Sequence, residues 1–417
     1  MGNKMTVIKE CNKVNGVRKV CTERIGHKEF FYRVRGHLLM SGCEAVNTEL
    51  LADMVYGISE RGDMPMVVLS SRREFLEHLE ERKDIDRMIV SYPGELNYHP
   101  MYGMSEQQIL RLFRMAGEEM GCGTMTERVM LYAAAVINIV SAKYPASLPA
   151  ISALLKEDDD FIASFANRMG MSNIIADNIL GSHEAGIMLR RIVERLEETF
   201  EGVSKPGNDT KYNFQSGAQG NVSVMAFYQI SSSQSLLNTY LKEEFYSVLK
   251  RVSKLRVILD EAVFLNETDE LMTYLLQMKR QGKIEMIAVS ENVKEMMPGA
   301  TLDFGNVCLF RHTNPGATEE LSQEIFGTYL YHYPVCVAGR PPAVLFTLKR
   351  DIHWQISTEE RLKVRAEDLY KPQNLFGRSF DYMAIKTINN ERIYLVSVEE
   401  FLSPDDVKYY PAFLSRV

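Results

Sequence analysis

Long apolar runs are scarce in this sequence of 417 residues. None approaches the roughly 20 consecutive apolar residues that cross a bilayer as a helix. The first residues, MGNKMTVIKECNKV, also lack the apolar stretch of a secretory signal. The sequence therefore predicts a cytoplasmic protein without a membrane span.

Paired cysteines and histidine motifs are absent as well. The six cysteines are scattered, with no CxxC pair and no histidine at the spacing of a zinc site. This usage is typical of reduced thiols and predicts no structural metal. The histidines show neither HxxxH nor HExxH spacing, and no GxSxG sequence occurs, so hydrolase activities have little support.

The sequence also lacks an excess of basic residues. Lysine and arginine number 48 against 55 aspartate and glutamate, which gives a net charge of -7. Such a chain has no global field that attracts nucleic acid, so a DNA-coating protein is disfavoured and any DNA contact is local. The basic pairs at residues 190–191 and 250–251 have acidic neighbours and are typical of solvated helix surface.

The sequence does contain apolar segments, typical of buried strands, that alternate with helical patterns. A helix at about 47–60 joins the first two apolar segments, and residues 29–34 predict a further strand before them. Segments of this alternating kind predict an α/β fold with a mostly parallel sheet and helices on both faces. The apolar segments are residues 37–40, 64–70, 222–228, 255–260, 284–290 and 306–311.

A helical pattern interrupts this alternation from about residue 105 to residue 202. Thr124–Glu127 reads as a capping box, and Leu189, Ile192, Leu196 and Phe200 recur at helical spacing. Near the end, residues 382–388 and 392–396 predict a hairpin around Asn389 and Asn390. We therefore predict an N-terminal β segment, an α/β domain in two parts, an all-helical insertion between them and a small C-terminal α/β appendage. The N-terminal segment spans residues 1–36, and the two parts of the α/β domain span residues 37–102 and 203–350. The insertion spans residues 103–202, and the appendage spans residues 351–417.

Two adjacent carboxylates, Asp260 and Glu261, end the apolar strand RVILD. In P-loop ATPases this is the Walker B arrangement, in which the first carboxylate holds Mg²⁺ and the second orients the attacking water. The alternative is that the two side chains only cap the following helix. A strand, a turn and a helix lie upstream, where a phosphate loop belongs, and they favour the Walker B interpretation.

The order of these segments resembles the type IV secretion and conjugation coupling proteins of the TraG/TraD type, within the HerA/FtsK group of P-loop ATPases. The resemblance covers roughly residues 30–330. It runs from HLLMSG and MPMVVLSSRREFLEHL, through NYHP before the helical insertion, to RVILDEA, IEMIAVSEN and NVCLFRHTNPGATEELSQEIFG. It implies a RecA-like fold and ATP-driven movement of DNA or protein. The N-terminal membrane anchor common in that family is not evident.

The phosphate loop departs from the family pattern at almost every position. Aligning GxxxxGK[ST] on Gly42 places Asn47 at the second glycine, Thr48 at the lysine and Glu49 at the hydroxyl residue. A carboxylate about 4 Å from a phosphate opposes binding by ~4 kcal/mol at an effective dielectric constant near 20. No lysine or arginine lies between Gly36 and Arg61 to replace the missing cation. Gly42, Asn47 and Thr48 thus mark a degenerate phosphate loop.

Strand ends supply the remaining candidates. Ser290 is a candidate sensor residue or, alternatively, the N-cap of the following helix. Arg311 is a candidate arginine finger or, alternatively, a solvated arginine. Residues 70–73, Ser-Ser-Arg-Arg, end the second strand where the family often has an acidic residue.

The sequence as a whole predicts a degenerate P-loop ATPase-like subunit of a conjugation or type IV secretion apparatus, weakly hydrolysing or non-hydrolysing. It predicts no cofactor. ATP, with a Mg²⁺ ion held by Asp260, is expected only if this atypical phosphate loop binds nucleotide. The alternatives are an active DNA translocase with an atypical phosphate loop and a stand-alone regulatory binding module. The expected partners are other subunits of a transfer apparatus or an active coupling ATPase, with a homo-oligomer as a further expectation and DNA only weakly supported.

Overall fold

A computed structural model describes most of the chain. The described residues are 11–14, 17–19, 27–81, 88–91, 100–102, 104–121, 127–201, 222–226, 235–261, 270–297, 303–338, 352–371, 380–388 and 390–402. The predicted capping box at 124–127 and the NYHP sequence at 97–100 fall largely outside them.

The strands in chain order are β1 Cys11–Val14, β2 Val17–Lys19, β3 Leu38–Ser41, β4 Met66–Ser70, β5 Met88–Ser91, β6 Val222–Ala226, β7 Leu255–Asp260, β8 Ile284–Ser290, β9 Asn306–Leu309, β10 Thr328–Ala338, β11 Ile352–Leu362, β12 Tyr370–Lys371, β13 Phe380–Thr387 and β14 Asn390–Ser397.

The α-helices are α1 His27–Arg33, α2 Thr48–Ser59, α3 Arg73–Glu81, α4 Glu106–Glu119, α5 Glu127–Ser141, α6 Leu148–Leu155, α7 Asp159–Arg168, α8 Asn173–Leu180, α9 His183–Glu201, α10 Ser235–Arg251, α11 Glu270–Arg280, α12 Val293–Met296, α13 Pro315–Phe326 and α14 Val398–Leu402. Short 3₁₀ turns occupy Cys43–Val46 and Ala366–Leu369.

The chain divides into two compact units. Unit 1 comprises residues 1–58 and 287–417, and unit 2 comprises residues 59–286. In unit 1, β3 pairs in parallel with β8 on one side and β9 on the other. Strand β13 then pairs antiparallel with β9, so the predicted C-terminal hairpin of β13 and β14 extends this sheet.

Unit 2 has four parallel strands in the order β7, β4, β6, β5. The chain moves from β4 to β5 through α3, and it moves in the opposite direction from β6 to β7 through α10. Because parallel crossovers are right-handed, these opposite movements place α3 and α10 on opposite faces of the strands. The predicted α/β class with mostly parallel strands is confirmed.

Burial explains why the strands could be read from the sequence. Every residue of β3, β4, β7 and β9 is buried, as expected for parallel strands covered on both faces. The segment between β5 and β6 is helical, from α4 to α9. On α9, the predicted positions Leu189, Ile192, Leu196 and Phe200 are all buried, and the Phe200 ring packs edge-on against Tyr240 of α10.

One predicted strand is wrong. Residues 29–34 lie mostly in helix α1. Phe30, Phe31 and Val34 are buried at a spacing that places them on one helical face. A short apolar run does not distinguish a strand from a buried helix, and in this structure packing favours the helix.

In the parts of the chain listed above, no helix combines the length and the apolarity needed to cross a bilayer. The domain bounds given by the sequence stay predictions.

Candidate functional site

Gly42 forms the junction between β3 and the turn that leads to α2. Its backbone has φ 120° and ψ 176°, a conformation open essentially to glycine alone. A Cβ at this position would lie 2.7 Å from the carbonyl carbon, carbonyl oxygen and Cβ of Phe310. The close approach of the chain after β9 therefore explains this glycine without any phosphate.

Four backbone amides of the turn donate to protein acceptors. Gly42 N donates to Ser290 O at 3.2 Å, and Cys43 N donates to Arg311 O at 2.9 Å. Within the turn, Ala45 N donates to Gly42 O at 3.0 Å, and Asn47 N donates to Glu44 O at 3.3 Å. A phosphate loop works because its amides point at the phosphates, whereas these four amides are committed elsewhere.

Asn47 caps the N-terminus of α2. Its Oδ1 accepts from Leu50 N at 2.9 Å, and its carbonyl oxygen accepts from Leu51 N at 3.0 Å. A helix N-terminus binds anions through its first free amides. The asparagine side chain takes one of them here, and the exposed Glu49 adds negative charge to the first turn. Thr48 begins the helix directly after the cap.

Asp260, the candidate Mg²⁺ ligand in unit 2, is fully buried and bonded on both oxygens. Its Oδ2 accepts from Ser70 Oγ at 2.6 Å and from Arg72 Nε at 3.0 Å. Its Oδ1 accepts from Arg72 Nη2 at 2.5 Å. Burial raises the pKa of Asp260, while the charge and hydrogen bonds of Arg72 and the hydroxyl of Ser70 act to lower it.

Strand register creates this arrangement. The parallel pairing of β4 with β7 places Ser70 opposite Asp260. The chain turns after Ser70, whose Oγ accepts from Arg72 N at 3.1 Å, and this turn brings the guanidinium back to the carboxylate. The result is a two-point pairing of arginine with carboxylate, the geometry that such pairs favour.

Glu261, the second carboxylate, has φ 46°. Residues other than glycine in this left-handed region cost roughly 1–2 kcal/mol. The side chain is partly exposed. Such strain is common at functional sites, and it is the feature of this segment that most resembles a working catalytic position.

In unit 1, four amides of the turn bond within the protein, and Thr48 stands at the lysine position. In unit 2, each oxygen of Asp260 already has a protein partner, Arg72 or Ser70. Throughout the described residues, His, Cys, Asp and Glu side chains form no group of three or more that could hold a metal ion.

The other predicted residues lie in unit 1. Ser290 is buried, and its Oγ accepts from Asn292 N at 3.1 Å. The N-cap of α12 is Asn292, so the reading of Ser290 as that cap is wrong. Arg311, with 47% of its side chain exposed, pairs with Asp381 at 3.2 Å. The structure thus brings the carbonyls of Ser290 and Arg311 to the Gly42 turn.

A buried histidine next to Arg311 was not predicted. His312 Nε2 lies 3.0 Å from Ser41 Oγ, and its Nδ1 lies 3.3 Å from Thr318 Oγ1. Burial lowers the pKa of His312, and the charge of Glu291 opposes that effect. A histidine at a strand end gave no distinct signal in the sequence.

Arg72 was also missed as the partner of Asp260. The sequence showed a basic residue where the family often has an acidic one, and that was the available signal. Arg72 contacts Asp260 because of the register between β4 and β7, which the sequence alone does not give.

No protein-family model and no curated protein matches this chain. Among solved structures it is similar to the bacterial conjugative coupling protein TrwBdeltaN70 in its unbound monoclinic form. That likeness has 13% identity and a TM-score of 0.44, and it covers 96% of this chain and 89% of the other. The trigonal form of the same protein with sulphate gives 14% identity and a TM-score of 0.46 over 91% and 94% of the two chains.

VirB4 of Thermoanaerobacter pseudethanolicus is similar at 12% identity with a TM-score of 0.40, over 69% of this chain and 80% of the other. All of these TM-scores lie below 0.5, so the likenesses carry no conclusion about function.

Proposed function

We propose that this chain is a degenerate ATPase-like subunit of a conjugation or type IV secretion apparatus, which supplies binding surface without sustained ATP hydrolysis. The observation that carries the proposal is the bond network of Asp260, whose two oxygens are held by Arg72 and Ser70. The order of sequence segments, which resembles coupling proteins, supports the proposed setting.

The energetic argument follows from burial. For Asp260 to hold Mg²⁺, even through water, its oxygens must be freed from the Arg72 guanidinium. Breaking a buried ion pair costs roughly 3–5 kcal/mol, which is about two to three and a half decades of affinity. The missing lysine and the added carboxylate of Glu49 weaken binding further. ATP with Mg²⁺ should therefore remain unbound at cellular concentrations.

Calorimetric titration of ATP with Mg²⁺ tests this proposal. We expect no saturable heat from the wild-type chain. The variant with Ala45→Gly, Asn47→Gly, Thr48→Lys, Glu49→Ser and Arg72→Ser restores the loop and releases Asp260, and it should bind measurably. The matched control carries the four loop substitutions with Arg72 retained, and it should bind more weakly. Circular dichroism of each variant checks that it is folded.

The second candidate is an active translocase with an atypical phosphate loop, and the backbone of Glu261 favours it. In that case Glu261→Gln would abolish turnover while preserving nucleotide affinity. In the degenerate subunit this substitution changes neither quantity. Micromolar ATP affinity in the wild type, or turnover lost in Glu261→Gln, would replace our proposal with this one.

A stand-alone regulatory module is the third candidate. Affinity purification from cells that carry the matching transfer apparatus separates it from a subunit. Recovery of an intact coupling ATPase supports the subunit, and recovery of no apparatus component contradicts it.

A further inference from the structure

A cavity of about 610 Å³ lies in the helical segment of unit 2. Its walls come from the end of α6, the start of α7, the end of α8 and one side of α9. Binding sites for small molecules commonly have volumes of roughly 300–1,000 Å³. The cavity is therefore large enough for such a ligand, and all of its lining residues lie in the described range 127–201.

Acidic side chains dominate the charged part of the lining. The basic side chains that line the cavity are Lys156, His183 and Arg190. The carboxylates are those of Glu157, Asp158, Asp159, Asp160, Glu194 and Glu197. Asp159 is paired with Arg190 and His183, and the other five carboxylates form no ion pair within the described residues. The cavity thus carries negative charge that the protein itself leaves unbalanced.

Helix geometry explains some of these carboxylates but not all of them. Asp158 caps α7, and Asp159 and Asp160 lie in its first turn, where negative charge is favourable. Glu194 and Glu197 lie in the C-terminal half of α9, about one turn apart on the same side of the helix. Like charges at this spacing repel each other, so a cation beside them would stabilise the two glutamates.

A buried hydroxyl also lines the cavity. Ser152, on α6, is 5% exposed and is one of the lining residues. A serine hydroxyl inside a helix can bond to the carbonyl four residues earlier. The Ser152 hydroxyl, however, makes no hydrogen bond to any residue that the structure describes. Because buried polar groups are nearly always hydrogen-bonded, this oxygen is available as an acceptor for a bound ligand.

The spread of the carboxylates indicates the kind of ligand. One group surrounds the start of α7, and the other lies on α9. No three of these described carboxylates form a group that could hold a metal ion. Apolar side chains, those of Leu155, Leu180 and Val193, also line the cavity. A ligand with several ammonium groups on a methylene chain matches this lining, because its charges pair with carboxylates and its methylenes cover apolar surface.

We propose that this cavity binds a linear aliphatic polyamine. Its ammonium groups pair with Glu194 and Glu197 on one wall and with the carboxylates at the start of α7 on the other, and one of them donates to Ser152 Oγ. The ligand thereby ties α9 to the connection between α6 and α7. The proposal depends neither on nucleotide binding nor on a role in a transfer apparatus.

Calorimetric titration of the full-length protein with spermidine at low ionic strength tests this proposal. We expect saturable binding of one spermidine per chain. The diamine putrescine should bind about fivefold more weakly, because one contact between an ammonium group and a carboxylate is lost.

Substitutions on α9 locate the site. Glu194→Gln with Glu197→Gln should weaken spermidine binding about tenfold, because two partly exposed charge pairs are lost. The matched control is Glu118→Gln with Glu127→Gln, which changes two exposed carboxylates of the same helical segment outside the cavity. It removes the same net charge and should leave spermidine binding unchanged. Circular dichroism checks that both variants are folded.

Ser152→Ala tests the buried hydroxyl. It should weaken spermidine binding about threefold, because a hydrogen bond from the ligand is lost. Without spermidine its thermal unfolding temperature should not fall below that of the wild type, because the hydroxyl has no hydrogen bond to lose. Unchanged spermidine affinity together with a lower unfolding temperature would show that the hydroxyl serves the fold and would contradict its role in the site.

Four further outcomes would overturn the proposal. The absence of saturable heat with millimolar spermidine would exclude the site. Equal weakening in the two double variants would show that binding follows net charge alone. Displacement of spermidine by Mg²⁺ at the same concentration would show a diffuse layer of counterions. A lysine-rich peptide that binds far more tightly than spermidine and displaces it would assign the cavity to a basic segment of a protein.

Discussion

At the scale of single residues, the clearest finding is that a glycine typical of a phosphate loop is held in place by packing. Gly42 approaches the backbone of Phe310 to a distance that excludes a Cβ. Asn47 and Arg72, to which our proposal attributes weak nucleotide binding, form specific contacts, as a helix cap and an ion pair. These three residues thus have structural roles in this fold that require no nucleotide.

Substitution of Gly42 tests this packing argument. Gly42→Ala should lower the free energy of unfolding by about 3 kcal/mol, because it combines a glycine-only conformation with a clash against the Phe310 backbone. Gly62→Ala is the control: it has φ 59° and nothing within 4 Å of the added Cβ, so it should cost only about 1 kcal/mol. Urea unfolding of both variants gives the comparison. Equal losses would show that the contact with Phe310 is unimportant.

At the scale of elements, a single carboxylate ties three helices of the segment from α4 to α9. Asp159 on α7 accepts from Tyr132 Oη of α5 at 2.7 Å and from Arg190 Nη2 of α9 at 2.8 Å. It also lies 2.8 Å from His183 Nδ1 at the start of α9. Burial acts to raise the pKa of Asp159, but the hydrogen bonds from His183, Tyr132 and Arg190 outweigh it and hold the pKa below its ordinary value.

A lowered aspartate pKa makes the stability of these helices depend on pH. The unfolded chain binds the proton at a higher pH than the folded chain does, so stability from Asp159 is complete above its ordinary pKa near 4 and is lost as pH falls below it. Asp159→Asn should cost about 2 kcal/mol at pH 7, and its difference from wild type should shrink as pH approaches 3.

Hydrogen exchange of α5, α7 and α9 measures this effect locally. The exposed neighbour Asp160 provides the control, since Asp160→Asn should cost less than about 1 kcal/mol. A difference between Asp159→Asn and wild type that stays constant from pH 7 to pH 3 would contradict the linkage.

Sequence reasoning succeeded for elements and failed for contacts between them. Strands β7 and β8 were predicted at their observed residues because fully buried parallel strands are continuous apolar runs. The strand predicted at 29–34 failed because its apolar spacing also suits a helix. Of the candidate site, Asp260 lies at the end of β7 as predicted. Its pairing with Arg72 could not be predicted, because it depends on the register between strands far apart in sequence.

At the scale of the whole molecule, the proposed function requires assembly. We expect the chain to join an active coupling ATPase in mixed oligomers, through surfaces of the core fold that do not depend on nucleotide. Light scattering of the chain alone and mixed with such an ATPase measures this. Arg311→Glu, at a partly exposed position, should weaken the mixed assembly, while Arg128→Glu on exposed α5 surface should not. A strict monomer under every condition would contradict the expectation.

The division of unit 1 into two chain segments has a consequence for how the protein is made. Strand β3 has both of its neighbours, β8 and β9, on the far side of residues 59–286. At roughly 5–20 residues per second, a ribosome needs on the order of 10 to 45 s to synthesise that interval. Throughout this time the apolar β3 has emerged without its neighbours, while unit 2 can already fold. We therefore expect newly made chains to benefit from chaperones during this interval, and we expect a translational pause within it to lengthen their exposure to aggregation.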